Sequence, residues 1–128
     1  MGARAQILVE DTRIYLYDHS GATHDRILEA LANAIARRQR WDDPEYLSAI
    51  IFREMVRADL DGDLSYGLDT SFHLDLELLV RVNCRSQTIR LVAWPTTFYG
   101  GVKEDCLCSF CDLANVGVSA LTSLPYPD

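Results

Sequence analysis

The densest chemistry in the chain lies in Asp18-His19-Ser20-Gly21-Ala22-Thr23-His24-Asp25. Two imidazoles, two carboxylates and two hydroxyls fall within these eight residues. His19 and His24 with Asp18 or Asp25 are the donor types that Zn²⁺ or Mn²⁺ takes, so the segment could carry metal-assisted hydrolysis. Ser20 could instead act as a nucleophile with one histidine as its base. The spacing matches no metal motif, however, and Asp, Ser, Gly and Thr are also what a strand-to-helix connector requires. His73 would add a third ligand only if the fold brought it near.

A second concentration is Cys106-Leu107-Cys108-Ser109-Phe110-Cys111, a C-x-C-x2-C run, with Cys84 far upstream. Structural zinc sites use two separated pairs of ligands. Here Cys106, Cys108 and Cys111 form one compressed cluster with no histidine nearby. The expectation is therefore free thiols packed as small apolar side chains and no cofactor, with zinc on these cysteines as the lesser alternative. Arg37-Arg38-Gln39-Arg40, with Arg53 and Arg57, is the one basic cluster. It could grip a phosphate or an acidic surface, or simply form a solvated helix end matched to the dipole.

Asp59-Leu60-Asp61-Gly62-Asp63 resembles the opening of a calcium loop, but neither frame completes one. With Asp59 first, position 6 is Leu64 and position 12 is Thr70; with Gly62 at position 6, position 1 is Arg57. It reads as a turn that ends a helix. G-x-G-x-x-G, Walker, H-E-x-x-H and G-x-S-x-G motifs are all missing from the sequence, which weighs against nucleotide enzymes and common hydrolases.

The elements that must position these residues follow from periodicity. Ala5–Glu10 and Arg13–Asp18 read as strands joined by a turn at Asp11-Thr12. In the second, Ile14 and Leu16 point one way and Tyr15 and Tyr17 the other. Thr23 is a cap for a helix from about His24 to Arg40, with Ile27, Leu31, Ala34 and Ile35 as its buried stripe. Asp43 and Pro44 start a second helix that runs to about Asp59 and buries Leu47, Ile50, Ile51 and Met55. Leu64–Asp69 is a candidate strand. Phe72 to Val82 then alternates as the longest strand, and Thr88–Trp94 returns antiparallel after a turn at Arg85-Ser86-Gln87. Asp105–Phe110 reads as an edge strand and a short helix begins near Asp112.

This order, β-β-α-α-β-β-β with a short C-terminal helix, predicts a single α+β domain over 1–128: one antiparallel sheet with the two main helices packed on one face. The other face would hold Tyr15, Tyr17, Leu79, Val92 and Trp94, more apolar area than a solvent face needs. It is expected to be covered by the C-terminal segment or by another subunit.

A chain of 128 residues with 48% apolar and 24% charged residues is ordinary globular material. Twelve basic against nineteen acidic residues give a net charge of −7, which argues against general nucleic-acid binding. No apolar run is long enough for a secretory signal or a membrane span. The expectation is a cytoplasmic protein.

Several short elements carry a resemblance. Met1-Gly2-Ala3-Arg4-Ala5, Tyr15-Leu16-Tyr17-Asp18-His19-Ser20-Gly21, Pro44-Glu45-Tyr46-Leu47, Phe52-Arg53-Glu54-Met55-Val56 and Tyr66-Gly67-Leu68 resemble a group of small uncharacterised phage, prophage and archaeal proteins. Those chains open with an M-G-x-R-A strand and carry a Y-x-Y-x-H-x-x-G element. The resemblance stops before the Cys-rich end. It implies no activity, but it points to an accessory protein of a mobile element. Together these readings predict a small acidic non-catalytic binding protein that forms homo-oligomers or engages a protein partner through the aromatic sheet face or Arg37, Arg38 and Arg40. The alternative is a small metal-dependent hydrolase built on His19, Ser20 and His24.

Overall fold

β1 (Arg4–Val9) and β2 (Tyr15–His19) pair antiparallel, Leu8 opposite Tyr15, so the reversal takes the residues between Val9 and Tyr15 rather than two. It is fixed by Asp11 in the left-handed region (φ 76°) and by Thr12, whose N–H and hydroxyl both donate to the Val9 carbonyl, at 3.1 and 2.7 Å. Aspartate tolerates that backbone better than a β-branched residue would. These elements come from a computed structural model that describes residues 4–19, 25–57, 60, 66–72, 78–93 and 107–122. The Thr23 cap and residues 73–77 of the longest predicted strand lie outside the described residues.

Helix α1 (Asp25–Ala36) buries Ile27, Leu28, Leu31, Ala34 and Ile35. It stops at Ala36, short of the predicted Arg40. Arg37 and Arg38 close i→i+3 bonds to Ala34 and Ile35, and Arg38 (φ 55°) and Arg40 (φ 58°) are left-handed. Two such residues cannot continue a right-handed helix. The Trp41 indole then donates to the same Ile35 carbonyl at 3.1 Å, a second bond that ties the chain after the helix back to its end. Helix α2 (Pro44–Arg57) starts where expected: Asp43 accepts from Leu47 N–H through its carbonyl and from Tyr46 N–H through its carboxylate.

The sheet continues with β3 (Tyr66–Asp69), β4 (Leu78–Asn83), β5 (Thr88–Ala93) and β6 (Leu107–Ser109), in the order β3-β2-β1-β4-β5-β6. The expectation of a wholly antiparallel sheet is corrected here: β1 and β4 pair parallel, Ala5 opposite Leu78 through Val9 opposite Val82. All other neighbours are antiparallel. The physical reason is the two crossings. Helices α1 and α2 carry the chain over one face between β2 and β3, and the sheet order puts β4 on the far side of β2 and β1 from β3. Gln6 Nε2 donates to the Ser71 carbonyl at 3.1 Å, and the rings of Tyr15 and Phe72 lie 6.4 Å apart. Ser71 and Phe72 therefore lie over the face opposite the helices.

On the helix side Ala5, Ile7, Val9, Leu16, Leu78, Val80, Val82, Ile89 and Leu91 form the core with the two helices. The predicted C-terminal helix is α3 (Phe110–Val116), capped by the Ser109 hydroxyl accepting from Asp112 N–H and ended by Gly117 at φ 88°; one more turn, α4 (Ser119–Thr122), follows. Phe110, Leu113 and Leu121 are buried in the same core, and Trp41 meets Phe110 edge-on at 5.5 Å. The described C-terminal segment thus packs on the helix layer and α1, not over the aromatic face. No described helix is long and apolar enough to cross a membrane.

Candidate functional site

The chemically dense segment begins at the end of β2. Asp18 is 1% exposed and alternates onto the same side as Leu16, in the core layer, while Asp25 is exposed at the start of α1. His19 ends β2 opposite Arg4. Ser20, His24 and His73 lie outside the described residues.

The arginine cluster separates into three local arrangements. Arg37 Nε donates to Glu54 Oε2 at 2.9 Å, Arg57 Nη1 reaches Glu54 Oε1 at 3.3 Å, and Arg53 lies 3.8 Å from the same carboxylate. Arg38 lies over the Trp41 ring and bonds Asn115, while Arg40 stacks on Tyr46 at 4.4 Å and pairs loosely with Asp43. Each guanidinium therefore has local work within the helix layer.

On the aromatic face, the register lines up Tyr17, Gln6, Leu79 and Val92 across β2, β1, β4 and β5. Tyr15 and Tyr17 are half-buried, with Phe72 against Tyr15. Trp94 lies outside the described residues.

Cys84 and Cys108 are buried thiols and Cys111 is exposed on α3. Burial, then the carboxylates of Asp43, Asp11 and Asp42, push the Cys84 thiol up to about 11. Burial and then Asp112 raise Cys108 as well. Both changes disfavour thiolate, the form that binds metal or attacks. Among the described residues no three His, Cys, Asp or Glu side chains group to hold a metal ion; Cys106 is outside them.

A concavity that the sequence reading did not anticipate lies between α2 and the open end of the sheet. It encloses about 510 Å³ and is lined by Ile14, Leu16 and Leu68 from the β2–β3 edge and by Ala49, Phe52 and Val56 from α2. Leu68 is 59% exposed and Ile14 36%. Its hydroxyls are already engaged: Ser48 donates to the Pro44 carbonyl at 2.8 Å and Thr12 to Val9. Glu45 and Arg53, both exposed, are the charged members of its lining. Hydrocarbon contact, rather than polar readout, is what such a surface offers a ligand. One signal in the sequence did mark it. Ala49, Phe52 and Val56 fall at i, i+3 and i+7, a second apolar stripe on α2 beside the one that meets the core.

Fold and site together define an α+β protein with a six-stranded mixed sheet and an apolar groove at its β3 edge. Comparison with protein-family models, curated proteins and solved structures finds no match.

Proposed function

We propose that this is a non-catalytic binding protein that acts through protein–protein contact, and that its working surface is the groove between α2 and the β2–β3 edge. The observation that carries the reading is an open strip of hydrocarbon whose own hydroxyls are already bonded. The occupant is an extended segment of a partner protein. β3 is the last strand in the sheet order, with β2 as its one neighbour among the described residues, and its Leu68 lies in the groove. A strand added beside β3 would gain backbone hydrogen bonds and send alternate apolar side chains into the groove. The resemblance to phage and prophage proteins supports an accessory role for such a binder.

The test is selection from a displayed peptide library, followed by NMR mapping and light scattering. Enriched peptides should alternate apolar and polar residues and shift the amides of Ile14, Gly67 and Leu68. Leu68→Asp, at an exposed position that leaves the fold intact, should lower their affinity by about tenfold or more. Peptides that map elsewhere, or bind Leu68→Asp equally well, overturn the reading. A wild-type dimer that Leu68→Asp converts to monomer would make a second copy the occupant and overturn the partner-strand proposal.

A further inference from the structure

The helical border of the apolar groove carries one charge of each sign at a fixed spacing. Glu45, Ala49 and Arg53 fall at i, i+4 and i+8 on α2, one ridge of the helix in which an acid and a base flank a methyl group. All three are exposed and all three line the groove. Among the described residues no ion pair engages Glu45. Arg53 stands 3.8 Å from Glu54, beyond hydrogen-bond distance, and that carboxylate is already bonded to Arg37 at 2.9 Å. The direction of the ridge relative to the sheet edge follows from its neighbours. Met55, near the end of α2, shares a smaller concavity with Tyr66, the first residue of β3. Glu45, near the start of α2, shares the groove with Thr12 and Ile14, which lie beyond the Tyr15–Asp69 pair at the far end of β3. Helix and edge strand therefore run in opposite directions.

We propose that the groove selects its partner strand by charge: the segment it binds carries a basic, an apolar and an acidic residue at alternate positions, in that order from its N-terminus. This rests on the groove being the strand-docking surface proposed above. Antiparallel pairing is the more stable ladder, and a strand antiparallel to β3 runs with α2, so it meets Glu45 before Arg53. The eight residues of helix between the two charges span about 12 Å, at roughly 1.5 Å per residue. Four residues of strand span about 13 Å, at roughly 3.3 Å per residue, and residues four apart on a strand project to the same side. The basic side chain then reaches Glu45 and the acidic one Arg53. The apolar residue midway between them enters over Ala49, whose methyl group leaves room beside Phe52 and Leu68. Hydrocarbon alone would accept any apolar strand, whereas a strand of reversed polarity would set like charges against both ends of the ridge.

The experiment uses two synthetic peptides of identical composition, V-T-K-T-L-T-E-T-V and V-T-E-T-L-T-K-T-V, capped at both ends, titrated into the full chain and followed by NMR. The first should bind about tenfold more tightly, through two surface ion pairs where the second meets two like charges. Its shifts should centre on Ala49, Arg53 and Leu68, and the preference should shrink at high salt. Glu45→Gln and Arg53→Gln, both at exposed positions, should each reduce the preference about threefold. The double variant Glu45→Lys, Arg53→Glu should reverse it. Equal binding of the two peptides, or a preference for the second, overturns the charge proposal alone provided that Leu68→Asp still abolishes the binding. A preference unchanged in the two glutamine variants does the same. Binding that Leu68→Asp leaves intact, or no binding of either peptide, overturns the groove reading and this proposal together.

Discussion

Glu54 is a buried carboxylate shared by three arginines, and its energetics can be worked out from its neighbours. Its side chain is 4% exposed and serves three arginines whose side chains are 37% (Arg37), 55% (Arg53) and 63% (Arg57) exposed. The 2.9 Å Arg37 bond joins the end of α1 to α2 and is charge-assisted, worth about 1.5–3 kcal/mol. Arg57, three residues on, adds about 0.2–0.5 kcal/mol as a surface helical pair, and Arg53 at 3.8 Å adds close to nothing. In Glu54→Ala the arginines can turn to water, so the loss should be about 2–3 kcal/mol rather than the roughly 3–5 kcal/mol of stranding a buried charge. Arg37→Ala is the instructive partner, because it leaves a buried carboxylate with weaker support. It should cost about as much as Glu54→Ala, and Glu54→Met should restore much of the loss in the Arg37→Ala background. Urea unfolding followed by far-UV circular dichroism gives the cycle. A coupling energy near 2 kcal/mol for Arg37–Glu54, beside less than about 0.5 for Arg53–Glu54, is expected. Equal couplings for the two arginines, or less than 0.5 kcal/mol for Arg37, would refute the argument that the 2.9 Å contact carries the hub.

Two further outcomes follow from the core and the thiols. Phe110, fully buried and edge-on to Trp41, should cost about 3–5 kcal/mol as Phe110→Ala, read as a fall in melting temperature on the order of 4 °C per kcal/mol. The Cys84 thiol, raised from 9.0 to about 11, holds its proton in the folded state through a range where the unfolded chain has lost it. Stability should therefore fall as pH rises from about 9 to about 11, and Cys84→Ala should flatten that slope. Below that range the same shift makes thiolate about a hundredfold scarcer than in an ordinary cysteine, so iodoacetamide at pH 8 should label exposed Cys111 well before Cys84 in mass-spectrometric time courses.

The helices were legible because their signals are local. The Ile27-Leu31-Ala34-Ile35 stripe and the Asp43-Pro44 start each lie within a few residues of the structure they specify. Arg38 and Arg40 show the limit: helix formers by propensity, they adopt left-handed backbone because Trp41 is drawn back to cap Ile35 and pack on Phe110. Alternation identified which face of β4 is buried, since Leu78, Val80 and Val82 are all in the core. It did not identify the neighbour, because period-two patterning encodes sidedness and neither partner nor direction. The arginine cluster could be read off as charges, but nothing local marked Glu54 as the carboxylate shared by Arg37, Arg53 and Arg57. The groove draws on Ile14, Phe52 and Leu68, which are brought together by the crossing of α1 and α2, and no spacing rule connects them.

The parallel β1–β4 pair, where the sequence expectation failed, also sets which charges meet at one end of the sheet. In parallel register Val9 lies beside Val82, so the end of β1 arrives at the same edge as the β4–β5 turn. Glu10 is thereby placed against Arg81, and Asp11 comes within 3.8 Å of Arg85 and close enough to Cys84 to hold its proton on. Were β1 antiparallel to β4, Val9 would meet Leu78, and the carboxylates of the β1–β2 turn would sit at the far end of the strand. Arg81 would then lose Glu10 as its partner. The same pairing leaves β3 at the outer edge beside β2, where Leu68 borders the groove.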